Sequence, residues 1–108
     1  METTAFFQSP YDITDEQVEA YRRDGYVRCD NVLTPEEVDA LRAALEAAME
    51  RRDSFNRDLA GGGDKILQML NLWEHDPVLK AYATSPRLAG IAKALTGSDS
   101  LHLFHDQA

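Results

Sequence analysis

Apolar residues recur at helical spacing along much of the chain, and capping residues mark where each helical segment begins. The most regular pattern follows Pro35, which can occupy the first position of a helix. Thr34 and Glu37 have the spacing of a capping box. The pattern predicts a helix over 35–52 with a solvated charged face. Its predicted apolar face comprises Val38, Leu41, Leu45, Ala48 and Met49.

Similar start and stop signals predict three further helices. Thr14 and Gln17 form a second capping-box pattern, and Gly25 supplies the stop signal. Asp-Pro and Ser-Pro pairs each place an N-cap residue before a proline in the first helical position, and Gly97 ends the last segment. The three predicted helices span 15–24, 77–83 and 86–95. The predicted buried stripe of the last one comprises Leu88, Ile91, Ala92 and Leu95.

Three shorter segments rich in strand-forming residues, 26–32, 66–73 and 101–107, lie between or after these helices and are predicted to be strands. We expect residues 1–12 to be irregular. Three consecutive glycines interrupt the helical pattern, so we expect a flexible glycine-rich loop over 53–65. The segment is not a phosphate-binding loop, because it lacks the glycine spacing and the Lys-Ser/Thr of that motif. The order of elements predicts one domain of the α+β class.

Composition narrows the function. The 108 residues carry 19 acidic and 11 basic side chains, giving a net charge of -8. Such a chain repels phosphate backbones and anionic lipid, so we expect no nucleic-acid or membrane partner. Cys29 is the single cysteine, which excludes an internal disulfide and fits a reducing compartment. The first residues resemble neither a signal peptide nor a membrane span, so a cytoplasmic location is expected.

The histidines do not form a metal-binding pattern. Two-histidine, one-carboxylate iron sites commonly use His-x-Asp/Glu, because a spacing of two keeps both ligands on one face of a strand. No acidic residue follows His75, His102 or His105 at that spacing. His102 and Asp106 share a face, but their α-carbons would be about 13 Å apart on a strand. Cys29 has no neighbouring histidine to activate it. We therefore assign no metal ligand and no catalytic residue.

Three stretches taken in order nevertheless resemble a known family: ITDEQVEAYRRDGYVRCDNVLTPEEVDALRAALE, QMLNLWEHDPVLKAYATSPRLAGIAKALTG and LHLFHDQA. From about Ile13 onward the chain resembles the N-terminal part of the phytanoyl-CoA dioxygenase-like iron(II)/2-oxoglutarate oxygenases. The resemblance implies a helical layer and the first strands of a double-stranded β-helix, a cupin-like jelly roll that is incomplete here. In that family the His-x-Asp motif, the distal histidine and the cosubstrate arginine come later. Residues 1–108 are therefore expected to be a single N-terminal fragment.

The resemblance also implies a reaction and a small set of pocket residues. The intact protein would use iron(II), 2-oxoglutarate and O₂ to hydroxylate a small molecule, whereas this chain alone is expected to hold no cofactor and to be inactive. Gln107, Met69 and His105 would line the cosubstrate or substrate pocket. Each residue also has a purely structural interpretation. Gln107 would be a polar residue at a strand end, Met69 a core methionine, and His105 a buried, hydrogen-bonded histidine.

Two functional classes stay open at this stage: the N-terminal part of an oxygenase, or a stand-alone helical binding module without catalysis. By the family pattern, the apolar 101–107 segment would lack a strand partner on one side. Such an edge is a possible site of self-association, and the alternative is that this terminal segment frays.

Overall fold

The computed structural model describes residues 6–51 and 69–106. Within these ranges the chain forms four α-helices and one 3₁₀ helix. The α-helices are α1 (Asp15–Asp24), α2 (Pro35–Glu50), α3 (Pro77–Ala83) and α4 (Pro86–Thr96), and the 3₁₀ helix spans Leu72–Glu74. The predicted bounds of α1 and α3 are confirmed. The other two predictions need only small corrections, because α2 ends at Glu50 with Arg51 in a turn, and α4 continues to Thr96.

The predicted capping residues account for where these helices start and stop. Thr14 and Thr34 both form complete capping boxes, each with the side chain three residues later. Asp76 accepts hydrogen bonds from two amides of α3, and Ser85 accepts one from α4. Gly25 ends α1 and Gly97 ends α4, and both glycines adopt the left-handed conformation, with φ of 83° and 74°.

The predicted strands are not seen among the described residues. Residues 26–32 are extended or irregular and pair with no neighbouring strand, and the same is true of 101–106. Leu70 makes one isolated bridge, after which the chain enters the 3₁₀ helix rather than a strand. Strand-forming side chains favour a pleated, paired surface but cannot supply the partner whose hydrogen bonds make a strand. The β part of the expected jelly roll therefore stays a prediction.

Parts of other predictions lie outside the described residues. The glycine-rich segment 53–65 and the first five residues are both in this category. Of the segment expected to be irregular, the described residues 6–12 contain a turn at Phe6 and Phe7 and no helix or strand.

The main apolar core lies between α2, α3 and the segment before α3. Its buried members are Ala44, Ala48, Met69, Leu72 and Leu79, and the partly buried residues packed on it are Leu41, Leu45, Met49 and Val78. On α2 the most buried residues of this core are therefore two alanines. The predicted face of α2 is correct only in part, because the side chain of Val38, at its start, is 37% exposed.

A buried ion pair connects the beginning of α2 to the beginning of α4. Arg87 donates to both carboxylate oxygens of Glu37, at 2.6 and 3.1 Å. The same guanidinium donates to the backbone carbonyls of Ser9 and Val32, at 2.6 and 2.8 Å. Glu37 and Arg87 are only 3% and 6% exposed. The expectation that the whole charged face of α2 is solvated is therefore wrong at Glu37. Elsewhere α4 packs against α1, and its predicted stripe is half-buried.

Candidate functional site

An apolar cavity of about 250 Å³ lies between α2 and α3. This is below the roughly 300–1,000 Å³ typical of small-molecule sites. It can therefore hold part of an apolar group but not a whole ligand of ordinary size. Its lining residues are Leu41, Leu45, Leu72, Leu79, Tyr82, Ala83 and Asp106.

Asp106 is the charged residue of this cavity, and its carboxylate is already bound to backbone. One oxygen accepts the N–H of Leu72 at 2.8 Å and the other accepts the N–H of Trp73 at 3.1 Å. The backbone carbonyl of Asp106 also accepts the N–H of Asn71 at 3.0 Å. These three bonds satisfy amides at the start of the 3₁₀ helix, which would otherwise lack partners. Asp106 thus fastens the 101–106 segment to the rim of the cavity.

Asn71 adds an unusual polar group beside this anchor. Its backbone has φ 56°, in the left-handed region that asparagine tolerates better than most residues. Its Oδ1 atom is buried and accepts no hydrogen bond within the described part of the chain. A buried acceptor without a partner is energetically unfavourable, so this position suits a donor supplied from outside the described residues.

The three residues expected at a cosubstrate or substrate pocket fall in different environments. Met69 is fully buried in the apolar core. His105 is exposed, and its ring lies 4.6 Å from that of Phe104, centroid to centroid. Gln107 lies outside the described residues. Among the described residues Met69 thus lies in the core and His105 at the surface, and their assignment as pocket residues stays a prediction.

Neither Asp106 nor Asn71 was singled out from sequence for these positions. The sequence gives little indication of the role of Asp106. An aspartate commonly caps a helix that directly follows it, whereas Asp106 caps the 3₁₀ helix more than thirty residues before it.

The described residues do not supply a metal centre. Across 6–51 and 69–106, no three His, Cys, Asp or Glu side chains are grouped so that they could hold one ion. The donor set therefore does not fit an iron site within these ranges, and no chemical step through iron is derived from them.

The buried Glu37 carboxylate is fully engaged and is not available for acid-base chemistry. Burial alone would raise its pKa, but hydrogen bonds from Arg87, Thr34 and Phe7, together with the Arg87 charge, lower the pKa from 4.5 to about 2. Such a group stays ionised near neutral pH. Its role is to hold elements together rather than to transfer protons.

No helix within the described ranges has both the length and the apolar composition needed to cross a membrane.

Comparison with known proteins points to a class of dioxygenases. A family model described as Phytanoyl-CoA dioxygenase (PhyH) matches residues 21–108, from the second half of α1 onward. The chain therefore belongs to the phytanoyl-CoA dioxygenase family, which confirms the resemblance found in the sequence.

Two curated relatives extend this comparison. The ectoine dioxygenase of Bordetella bronchiseptica is 29% identical over 92 residues, and that of Bordetella parapertussis is 28% identical over 92 residues. Each alignment covers 81% of this chain but 29% of the relative. The chain thus spans less than a third of the length of these relatives. No solved structure matches the chain.

Proposed function

We propose that this chain is the N-terminal, helical part of an iron(II)/2-oxoglutarate-dependent dioxygenase that hydroxylates a small molecule. The observation that carries the proposal is the family match over residues 21–108, which includes all of α2, α3 and α4. The relatives named as ectoine dioxygenases are more than three times as long as their aligned part. The iron ligands and the residues that bind 2-oxoglutarate are proposed to lie in the part of the domain that follows.

The described residues would then contribute one wall of the enzyme. The apolar cavity between α2 and α3 is open and too small for a complete site. The residue with the unpartnered Oδ1, Asn71, is bonded through its backbone N–H to the Asp106 anchor. We propose that the β-strands of a cupin-like jelly roll cover this face. Hydrogen bonds from the strands would satisfy Asn71.

Asp106 would have an organising role in that enzyme. Its carboxylate and carbonyl are tied to three consecutive amides, so its position relative to the core is defined from several directions. Gln107 follows directly, and His105 precedes. We propose that Asp106 orients Gln107 toward the pocket, and that Met69 supports the pocket from the core rather than contacting substrate. His105 stays a weaker candidate because its side chain is exposed.

A cytoplasmic location is part of the same proposal. Its support is the single cysteine, Cys29, which leaves no disulfide to form within the chain and suits a reducing compartment.

The test compares two proteins from the same gene. One is this 108-residue chain, and the other is the product of the reading frame as it continues in genomic DNA. Succinate formation from 2-oxoglutarate would be measured anaerobically and in air, with and without iron(II). We expect iron- and O₂-dependent succinate from the longer product and none from the 108-residue chain, which should also show no saturable iron(II) binding.

Two outcomes would contradict the proposal. Turnover by the 108-residue chain would show that it contains its own active site, and loss of a stoichiometric iron site in the His105→Ala variant would locate it. A natural stop codon directly after Ala108 would instead favour the stand-alone helical binding module.

A further inference from the structure

The N-terminal arm, residues Phe6–Ser9, occupies a slot between the beginnings of α2 and α4. Phe7 is completely buried there and Phe6 is 8% exposed. The two rings lie 5.8 Å apart, and the Phe7 ring meets Tyr82 of α3 edge-on, with centroids 5.4 Å apart. Such an edge-to-face arrangement is favourable for aromatic rings. The arm thus fills an aromatic slot rather than lying on the surface.

Side chains of the slot bind the backbone of the arm. The N–H of Phe7 donates a short hydrogen bond to a carboxylate oxygen of Glu37. The carbonyl of Phe7 accepts the hydroxyl proton of Ser85 at 2.6 Å, and the carbonyl of Ser9 accepts from Nε of Arg87, also at 2.6 Å. Each of these contacts is a hydrogen bond to a backbone atom of the arm. The slot therefore binds a turn of the arm through its main chain and holds the buried aromatic side chain of Phe7.

The slot groups hold their positions through bonds that do not involve the arm. Arg87 and Glu37 pair with each other in bidentate geometry. Ser85 caps α4 by accepting the N–H of Leu88, and Glu37 accepts the N–H of Thr34 at 2.8 Å in its capping box. The binding groups are thus preorganised by helix ends and by an ion pair, as expected for a binding site.

The arm, in contrast, adopts a conformation that it would rarely choose alone. Phe7 has φ 64°, in the left-handed region that is unfavourable for a bulky aromatic residue. The arm also lies outside the family match, which begins at residue 21. It therefore behaves as a bound ligand of the helical layer rather than as part of it.

We propose that the α2–α4 junction is a peptide-binding slot, occupied by this chain's own arm and open to an equivalent aromatic peptide when the arm is displaced. The occupant is an N-terminal segment with the chemistry of Phe6–Ser9: a buried phenylalanine whose N–H and C=O are both bound. This site is separate from the proposed oxygenase reaction and does not depend on it.

The test uses the full 108-residue chain and a labelled peptide with the sequence METTAFFQSP. In the Phe7→Ala variant, the arm loses its aromatic anchor, and the slot becomes available more often. Because apparent affinity scales with the fraction of binding-competent protein, we expect the peptide to bind this variant at least tenfold more tightly than the unmodified chain. The matched control is Phe104→Ala, which removes an aromatic ring that is 90% exposed and should bind the peptide as weakly as the unmodified chain.

A second peptide, with alanine at the position of Phe7, tests the role of the aromatic ring and should not bind the Phe7→Ala chain. Equal binding of both peptides, or equal binding of one peptide to all three chains, would overturn the proposal. So would no binding to a Phe7→Ala chain that retains its helical circular dichroism.

If the Phe7→Ala chain loses its helical signal, hydrogen exchange in the unmodified chain decides. The Phe7 amide should exchange at least a hundredfold more slowly than the same amide in the free peptide. Exchange at the rate of the free peptide would show that the arm does not occupy the slot.

Discussion

Arg87 and Glu37, fifty residues apart in the chain, form a bidentate ion pair in which both side chains are almost completely buried. The pair joins the first turn of α2 to the first turn of α4. Through further bonds from Arg87 it also holds the carbonyls of Ser9 and Val32. A single guanidinium thereby connects three segments that are distant in sequence: the N-terminal arm, the entry to α2 and α4 itself.

Removing Arg87 should be strongly destabilising. In Arg87→Met, Glu37 would remain as an uncompensated buried charge, and breaking a buried pair in this way costs about 3–5 kcal/mol. Urea unfolding followed by circular dichroism would measure the loss. The double variant Arg87→Met, Glu37→Leu should recover part of it, because the isolated carboxylate is then absent.

The matched control is Arg28→Met, which breaks the ion pair with Asp30 at 2.7 Å. Those side chains are 87% and 64% exposed, so we expect a change of at most about 1 kcal/mol. Similar losses in Arg87→Met and Arg28→Met would contradict a special role for the buried pair.

The low pKa of Glu37 predicts how stability depends on pH. The pKa of this carboxyl is about 2 in the folded chain against an ordinary value of 4.5. A lowered pKa contributes stability above the unfolded value, and this contribution is lost as the pH falls from about 4.5 toward 2. Glu37→Gln should therefore show a flatter dependence of the unfolding free energy on pH in this window. Glu36→Gln, at the exposed neighbouring position, should keep the slope of the unmodified chain.

The sequence predicted the local role of Glu37 but not its long-range one. The Thr-x-x-Glu spacing indicated the capping box, which the structure contains. Its partnership with Arg87 depends on how α2 and α4 pack, and helix periodicity carries no information on that. One signal was available, because Arg87 is a cation in the first turn of a helix, where the helix dipole disfavours positive charge. An unfavourable charge at such a position indicates a partner elsewhere.

Removing the carboxylate of Asp106 should loosen the rim of the apolar cavity. Asp106→Ala leaves the amides of Leu72 and Trp73 without their acceptor, and loss of a comparable helix cap costs about 0.5–2 kcal/mol. Trp73 is the single tryptophan of the chain, so its fluorescence reports on this region directly. We expect greater quenching by acrylamide in Asp106→Ala than in the control Asp99→Ala, whose side chain is exposed. Equal quenching would contradict the anchoring role.

Truncation of core leucines on α2 and α3 should lower the unfolding free energy in proportion to how deeply each leucine is buried. Leu79 is 5% exposed, and Leu79→Ala should cost about 2–4 kcal/mol. Leu45 is only partly buried, so Leu45→Ala should cost less. Thermal or urea unfolding of the two variants provides the comparison. A larger loss for Leu45→Ala would mean that the outer side of α2 is covered more fully than the described residues indicate.

The apolar 101–104 segment predicts self-association of the chain. Leu101, Leu103 and Phe104 are 41%, 45% and 90% exposed, so three of these four consecutive residues expose apolar surface on irregular backbone. The net charge of -8 opposes association, so added salt should promote it. Sedimentation velocity should show concentration-dependent association that Phe104→Asp reduces. A monomer at all concentrations and salt levels would contradict the prediction.

Helices were predictable here because their signals are local, whereas the strands required partners that local patterns do not contain. Thr14, Asp76 and Ser85 each bind amides within three residues of themselves, so the sequence alone indicated the starts of α1, α3 and α4. The 101–106 segment, by comparison, is held by Asp106 to amides more than thirty residues away. The candidate cavity depends on that contact and could not be derived from spacing.

The span between Phe7 and Ser85 also sets an order of events during synthesis. The hydroxyl that binds the Phe7 carbonyl is encoded 78 residues later, and translation proceeds at about 5–20 residues per second. The arm therefore leaves the ribosome roughly 4–16 s before α4 can complete its slot. During that interval Phe6 and Phe7 have no completed slot to enter. A nascent chain thus exposes this aromatic pair, available to chaperones, until α4 has emerged.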